Sequence, residues 1–125
     1  MKASLTEHIR RVVQEESRGC GIACVAMIAG MTYQDVRNYF VQHVFLPRDR
    51  KPHTRHYQLC IGLHKLGIKA EKRRFVHWRS IDTDAIIPIN RQDDGGWHWV
   101  VFVNRKPRKY ILDPYERTKG RRYDF

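Results

Sequence analysis

Four residues of the chain have the side chains that a thiol nucleophile requires: Gln14, Cys20, His98 and Asp113. Cys20 opens the apolar segment CGIACVAMI, and the positive end of a helix favours the reactive thiolate form of a cysteine. A histidine can take the thiol proton, and a carboxylate can orient that histidine. A glutamine amide can donate a hydrogen bond to the oxyanion that develops on a substrate carbonyl. These residue types therefore predict acyl transfer by a cysteine.

Three helices are predicted in the first half of the chain, where Cys20 must be positioned. The first spans Cys20–Ala29, a segment that is small and apolar nearly all round, and Gly30 fits its C-terminal cap. Thr32 begins a capping box and starts a second helix that runs to about residue 42. Thr54 is predicted to cap a third helix, which has leucines at helical spacing and Gly67 as its stop.

Strands are predicted in the second half, where His98 and Asp113 must be positioned. Residues 68–76 alternate between apolar and polar side chains, residues 85–90 are apolar, and residues 97–104 are rich in aromatic and β-branched side chains. A turn at 93–96 precedes the third of these segments, and a hairpin loop at 105–108 leads into a return strand over 109–112. Helices followed by antiparallel strands predict an α+β fold.

Length and composition indicate a globular protein. The 125 residues, 42% of them hydrophobic, are enough to bury a core, and we expect one domain over residues 1–125. The longest apolar run, Ile22–Ala29, is far shorter than a membrane-spanning helix. The N-terminal sequence MKASLTEHIRRVVQEE lacks the apolar segment of a signal peptide. We therefore expect a cytoplasmic protein without a transmembrane segment.

A net charge of +11, from 24 Lys and Arg against 13 Asp and Glu, distinguishes the surface. It favours an acidic partner, either an acidic protein or a nucleic acid, and equally fits a basic surface that only aids solubility. No motif of the RNA-binding type accompanies the charge. The basic residues cluster in four places: Arg48, Arg50 and Lys51; Lys69, Lys72, Arg73 and Arg74; Arg105, Lys106, Arg108 and Lys109; Arg117, Lys119, Arg121 and Arg122.

The other cysteines and histidines predict neither a disulfide framework nor a metal site. Cys20 and Cys24 are four residues apart on one predicted helix, so their Cβ atoms lie roughly 5–6 Å apart, which is wider than a disulfide normally allows. We interpret Cys24 and Cys60 as packing residues. Three further histidines lack the spacing of a zinc site, so we expect no metal and no cofactor: His53, His56 and His64.

The motif CGIACVAMI, with Gln14 six residues before it, resembles the opening of the C39 peptidase family. These are papain-like cysteine proteases, best known as leader-cleaving domains of bacteriocin transporters. The family's three helices appear in the same order in this chain, followed by a strand with His98 in His-Trp-Val-Val and by the pair Asp113-Pro114. The resemblance covers most of the chain, from about residue 11 to about residue 115.

The resemblance implies a papain-like fold, with a helical layer packed on an antiparallel sheet and a site between the layers. It implies that Cys20 is the nucleophile, that His98 is the general base and that Asp113 orients His98. Gln14 and the backbone N–H of Cys20 would form the oxyanion hole. The implied substrate is a peptide or protein, cleaved without a cofactor.

The chain departs from the family pattern in two respects. Gly19 stands immediately before the cysteine, where the family often has an acidic residue, which affects local electrostatics and substrate choice. Neither the membrane helices of the transporters nor a phosphate-binding loop is present in the sequence. We therefore expect a stand-alone peptidase domain.

Other interpretations of the same residues stay open at the level of sequence. A free cysteine is often a small buried hydrophobic residue, and Asp113 before Pro114 is typical of a turn. His98 could make a structural hydrogen bond within its strand. The same machinery can also deamidate glutamine or transfer an acyl group to an amine. A catalytically silent, basic module that binds peptide or nucleic acid is the alternative outside enzymes.

Overall fold

The computed structural model describes residues 9–16, 18–44, 54–89, 97–105, 108–115 and 122–124. Several predictions concern segments outside these ranges, including the turn at 93–96, His53, and the basic clusters at 48–51 and 117–121. The described residues form three α-helices, one short 3₁₀ helix and an antiparallel sheet.

The first helix, α1, spans Cys20–Ala29 as predicted, and it is the central element of the core. Nine of its ten residues are buried, because small side chains on several sides let neighbouring elements approach closely. Gly21 shows how close this approach is, since a Cβ atom there would collide with the Thr54 hydroxyl. The helix ends at Gly30, whose positive φ of 70° turns the chain so that the N–H of Met31 reaches the carbonyl of Ala26 at 3.0 Å.

The second helix, α2, spans Tyr33–His43 and begins at the predicted cap. The Thr32 hydroxyl accepts a hydrogen bond of 3.1 Å from the backbone N–H of Asp35, which satisfies one of the donors at the helix start. Val36 and Phe40, one turn apart, are fully buried and form the inner face that packs in the core beside α1. The prediction of this helix and its cap is confirmed.

The third helix, α3, spans His56–Lys65, and its predicted cap is wrong. The N-cap residue is Arg55, whose N–H donates a 2.8 Å hydrogen bond to the Gln58 side chain. Thr54 lies one residue earlier and is buried against α1, while its carbonyl accepts from the indole N–H of Trp99 at 3.1 Å. The Thr54 side chain therefore packs against α1 and does not cap α3. The Gln58 side chain, in the first turn of α3, accepts the capping hydrogen bond instead.

The sheet is a meander of β1 (Ala85–Ile89), β2 (His98–Arg105) and β3 (Arg108–Leu112), with a short β4 (Arg122–Asp124) paired to β3. All pairs are antiparallel, with Ile87 opposite Val100 and Val101 opposite Leu112. The predicted strands at 85–90, 97–104 and 109–112 are confirmed within the described residues. Arg105 and Arg108, predicted as loop, pair with each other as strand ends.

Alternate residues of β2 pack in two separate hydrophobic clusters. Trp99, Val101 and Val103 are buried in the cluster that contains α1, α2 and α3. Val100 and Phe102 are buried in a smaller cluster, against which the 3₁₀ segment Trp78–Ser80 packs. This two-residue period is expected for a strand buried on both faces.

The predicted strand at 68–76 is wrong. This segment has no strand pairing, and from Lys69 onward it is exposed, with Phe75 at 50% and Val76 at 68% exposure. Alternation of charged and apolar residues produces a strand only when one face is buried against a core. Here neither face is buried.

The described part of the chain is therefore a small α+β fold with three helices packed on an antiparallel sheet. None of its helices is long and apolar enough to cross a membrane.

Candidate active site

Cys20 is the first residue of α1, and it faces β2. Its side chain is 8% exposed, and the backbone N–H of Trp99 points at its sulfur at an N···Sγ distance of 3.5 Å. The N-cap of α1 is Gly19, which has no side chain with which to cap the helix. The first N–H groups of α1 thus keep their positive partial charge beside the thiol.

The β2–β3 hairpin brings His98 and Asp113 together. His98 is the first residue of β2, and Asp113 directly follows β3 on the neighbouring strand. Nε2 of His98 lies 2.7 Å from Oδ1 of Asp113, and the Cys20 side chain is a second hydrogen-bond partner of His98. Three of the four predicted site residues therefore form one hydrogen-bonded chain from thiol to imidazole to carboxylate.

The pKa of His98 is raised to about 9. Burial alone would lower it, but hydrogen bonds to Asp113 and Cys20 and the negative charges of both groups outweigh the burial. His98 is consequently an imidazolium at neutral pH. A positively charged imidazole beside a cysteine is the setting that stabilises a thiolate.

Asp113 is held in its ionised form by its surroundings. Burial on its own raises the pKa of this carboxyl, but the net shift is downward, because His98 and the N–H of Tyr115 donate to it and His98 and Arg11 add positive charge. Its Oδ1 accepts from Tyr115 N at 2.9 Å. Arg11 also donates through Nε to the carbonyl of Asp113 at 2.7 Å. An ionised carboxylate beside His98 can orient the ring and stabilise its positive charge.

Gln14, the predicted oxyanion donor, lies beside the segment that contains Asp113. Its backbone N–H donates to the carbonyl of Pro114 at 2.8 Å, and its side chain is buried. The amide nitrogen Nε2 donates to the carbonyl of Glu16 at 2.9 Å, within the loop that leads to Cys20. These contacts place Gln14 beside Pro114, the residue after Asp113, and its oxyanion role stays a prediction.

A cluster around Glu16 was missed in the sequence. The Glu16 carboxylate accepts from the hydroxyl of Tyr33 at 2.7 Å and from Nε of Arg37 at 2.6 Å. Tyr33 and Arg37 are four residues apart on α2 and so lie on the same face of that helix. The shared face of Tyr33 and Arg37 could have been predicted from this spacing, but no local pattern links these residues to Glu16. Gly19 also contacts this cluster, because a Cβ atom there would collide with the Tyr33 hydroxyl.

The absence of an acidic residue before Cys20 thus has a structural cause. Any side chain at position 19 would have to displace the ring of Tyr33, which is buried in the core. Negative charge is present farther back in the loop instead, at Glu16, where Arg37 neutralises it. The local charge next to Cys20 therefore differs from the pattern of the family that the motif resembles.

The other two cysteines lie away from this chain of hydrogen bonds. Cys24, one turn further along α1, is fully buried, and burial, aided by the charges of Cys20 and Asp113, raises the pKa of its thiol well above the usual range. Its prediction as a core residue is confirmed. Cys60 on α3 is partly exposed and lines a cavity.

The histidines of α3 form no metal site with the neighbours that the structure describes. His56 packs edge-on against Trp99, with ring centroids 4.9 Å apart. His64 is exposed, and His53 lies outside the described residues. Within the residues that the structure describes, no group of three or more histidine, cysteine or acidic side chains could hold a metal ion.

The two tryptophans that flank His98 pack against the helices. Trp99 is buried in the helix-side cluster, and Trp97 is partly buried against the same cluster. Their rings meet edge to face at 5.9 Å.

An open cavity of about 1110 Å³ lies elsewhere on the molecule. It is lined by α3, by the segment that follows Gly67 and by β1. Cys20, His98 and Asp113 are not among its described lining residues. We place the candidate active site at the hydrogen-bonded triad, because only there do a nucleophile, a base and an orienting carboxylate converge among the residues that the structure describes.

Comparisons with known proteins do not extend these observations: no protein-family profile matches the chain, and no curated protein matches it.

Proposed function

We propose that this chain is a cysteine peptidase or amide hydrolase with Cys20 as its nucleophile. The observation that carries the proposal is that His98 interacts both with the Cys20 thiol, which helps to raise its pKa, and with the Asp113 carboxylate, whose Oδ1 lies 2.7 Å from its Nε2. A structural histidine needs one hydrogen-bond partner. His98 has on one side the Cys20 thiol, which lies at the N-terminus of a helix, and on the other the ionised carboxylate of Asp113. This is the arrangement of an activated nucleophile.

The proposed reaction begins when the Cys20 thiolate attacks a substrate carbonyl and forms a C–S bond. The oxyanion accepts hydrogen bonds from the Cys20 N–H and, in our proposal, from the Gln14 amide. The His98 imidazolium protonates the departing amine as the C–N bond breaks. Neutral His98 then removes a proton from water, whose oxygen attacks the thioester carbonyl. The C–S bond breaks, the carboxylic acid leaves, and Cys20 is again a thiolate beside the His98 imidazolium.

A papain-like architecture is part of the same proposal. The support is the arrangement of the elements: the nucleophile opens a buried helix, that helix packs on the sheet, and the histidine begins a strand of that sheet. The family resemblance of the Cys20 motif is consistent with this arrangement.

The site chemistry alone is shared by three reactions. Attack on a backbone amide gives proteolysis, attack on a glutamine side chain gives deamidation, and an amine in place of water gives acyl transfer. A defined peptide mixture analysed by mass spectrometry separates them, because proteolysis shortens peptides, deamidation adds about one dalton and transfer joins an amine.

An electrophilic activity probe tests the nucleophile before any substrate is known. We expect a fluorescent peptidyl acyloxymethyl ketone to label the protein at Cys20, because this probe requires a thiolate aligned with a base. Cys60→Ser is the matched control, since it removes the other partly accessible thiol and should leave labelling intact. Cys20→Ser and His98→Ala should abolish it. Labelling that disappears in Cys60→Ser and persists in Cys20→Ser would reject the proposal.

A binding role for acidic partners is a second candidate, and it has its own observation. Lys69, Lys72 and Arg74 are exposed on the segment beside the cavity, in a region where Arg73 already pairs with Glu71. These charges fit an acidic peptide or a nucleic acid.

Salt dependence tests this second candidate. Binding to duplex DNA, RNA and an acidic peptide is measured between about 50 and 200 mM salt, where phosphate-dominated binding weakens most. Charge reversal at Lys69 and Lys72 should weaken binding without changing Cys20 labelling. If none of the three binds at the lowest salt, the positive charge is only a solvated surface.

A further inference from the structure

The loop between Gln14 and Cys20 is organised by one residue, Glu16. Its backbone carbonyl accepts hydrogen bonds from the Gln14 amide at 2.9 Å and from the N–H of Gly19 at 3.0 Å. Its carboxylate is bonded to Tyr33 and Arg37 on α2 at 2.7 and 2.6 Å. One residue thus connects the predicted oxyanion donor, the start of the nucleophile helix and the neighbouring helix.

We propose that Glu16 is a positioning residue for the oxyanion hole, which holds the Gln14 amide and the first turn of α1 in the geometry that receives the substrate oxyanion. This inference rests on the proposed function. Glu16 would act through Gln14 and Cys20 and would not itself touch the substrate.

The geometry of an amide explains how this works. The NH₂ group of Gln14 is planar, so a hydrogen bond from one hydrogen to the Glu16 carbonyl also fixes the direction of the second hydrogen. The bond from Gly19 to the same carbonyl fixes the residue at which α1 begins. The Glu16 carbonyl oxygen thereby positions both donors of the proposed oxyanion hole, the Gln14 amide and the Cys20 N–H.

The carboxylate of Glu16 is what keeps that carbonyl in place. A loop carbonyl by itself would move with the loop. The Glu16 carboxylate holds it in place through the charge-assisted bond from Arg37 and the hydroxyl bond from Tyr33, because both residues lie on α2, whose inner face is buried in the core. Burial alone would raise the pKa of Glu16, yet the bonds from Arg37 and Tyr33 outweigh it and lower that pKa. The Glu16 carboxylate therefore stays charged at neutral pH.

Two reagents separate positioning of the oxyanion hole from general stability. p-Nitrophenyl acetate acylates a thiolate through a tetrahedral oxyanion and releases p-nitrophenolate, whereas iodoacetamide alkylates it by displacing iodide and forms no oxyanion. In Glu16→Ala we expect acylation of Cys20 to fall about 10- to 100-fold, as for a displaced or lost oxyanion donor, while alkylation stays near the wild-type rate. Glu16→Gln keeps an acceptor for Tyr33 and should recover part of the acylation rate.

A double-mutant cycle then identifies the residue through which Glu16 acts. If the effect passes through Gln14, adding Glu16→Ala to Gln14→Ala should slow acylation little further, because coupled sites are not additive. Gln34→Ala is the matched control: it removes an exposed hydrogen bond of 2.7 Å between the same loop and the same helix, at Glu15, and should leave both rates unchanged.

Exchange of the Gln14 side-chain amide protons with water, measured by NMR, reads its position whether or not any reaction occurs. We expect faster exchange in Glu16→Ala and in Arg37→Met than in wild type and Gln34→Ala. Unchanged exchange together with unchanged acylation in the Glu16 variants would overturn the positioning role. Parallel loss of acylation and alkylation would also overturn it, in favour of a purely structural role. Failure of wild-type Cys20 to be acylated, with Gln14 exchange still dependent on Glu16, would reject the proposed function alone.

Discussion

Replacing Asp113 with asparagine is expected to lower the pKa of His98 and to weaken the Cys20–His98 pair. In the wild type this pKa is raised from 6.5 to about 9 by bonds and charges from Asp113 and Cys20, against the opposing effect of burial. The substitution Asp113→Asn would remove the charge at 2.7 Å from the ring and leave the burial unchanged. The pKa of His98 should then fall toward its ordinary value of about 6.5, with burial lowering it and only Cys20 still raising it.

The size of the effect follows from these values. At pH 7 a histidine with a pKa of about 9 is almost fully protonated, and one with a pKa of about 6.5 is protonated in about a quarter of molecules. If imidazolium supports the thiolate, the rate of Cys20 alkylation at pH 7 should fall by up to about fourfold in Asp113→Asn. Turnover should be less impaired than in Cys20→Ala, because Asp113 orients a base and transfers no proton itself.

The assay is a pair of titrations on the wild type and the variant. NMR follows the ring protons of His98 between pH 5 and 10, and iodoacetamide labelling follows Cys20 over the same range. Glu15→Gln is a suitable control, because it neutralises an exposed carboxylate in the loop before Cys20 that takes no part in the triad. If His98 in Asp113→Asn still titrates near 9, Asp113 is not the cause of the shift and the triad argument fails.

The same shift predicts how stability depends on pH. A histidine whose pKa is higher in the folded than in the unfolded state stabilises the fold fully below about 6.5, and this contribution is lost as pH rises through about 9. The change from 6.5 to about 9 corresponds to about 3 kcal/mol as an upper figure, at about 1.4 kcal/mol for each tenfold change in proton affinity. Partial exposure of His98 reduces it.

Asp113 acts in the opposite direction, because its pKa is lowered in the folded state. Its contribution is present above its ordinary pKa of 3.8 and is lost as pH falls. The free energy of unfolding, measured by urea titration, should therefore be greatest between about pH 4 and 6.5 with respect to this pair. A constant free energy of unfolding from pH 6 to 9.5 would contradict the assignment.

Three further predictions follow from the same contacts. Iodoacetamide at neutral pH should modify Cys20 faster than Cys60, as peptide mass mapping would show, and equal rates would count against an activated thiol. Cys20→Ala and His98→Ala should each abolish turnover on a peptide library; the thermal melt should stay close to wild type in Cys20→Ala and fall in His98→Ala, which also loses the bond to Asp113, and full activity in Cys20→Ala would favour a binding module. Gly21→Ala should destabilise the fold by about 1–3 kcal/mol through overpacking against Thr54, and an unchanged melting temperature would refute that close contact.

Much of the fold could be predicted from the sequence because its signals are local. α1 has a continuous apolar segment and a glycine at the one position where a left-handed φ ends the helix. α2 has its threonine cap three residues before Asp35. β2 has the residue types of a buried strand. In each case the residues that determine the element lie within it or directly next to it, so no knowledge of distant packing was required.

The wrong predictions concern segments whose structure depends on contacts with residues far away in the sequence. Residues 68–76 alternate as a strand does, but no core covers either face, and burial is a property of the whole fold. Thr54 has a side chain of the type that caps helices, but α1 approaches so closely at Gly21 that the threonine packs there. The Gln58 side chain accepts the capping hydrogen bond of α3 instead.

The candidate site shows the same division. The kinds of groups could be predicted from local sequence: a cysteine that opens an apolar helix and a histidine near the start of a strand. The distance of 2.7 Å between His98 and Asp113 depends on the register of the β2–β3 hairpin, which no local pattern specifies. Only the tertiary structure revealed the contacts of Glu16, since its partners Tyr33 and Arg37 are 17 and 21 residues away and no local pattern connects them. Local spacing determines which groups are available, and packing between distant elements determines which of them come into contact.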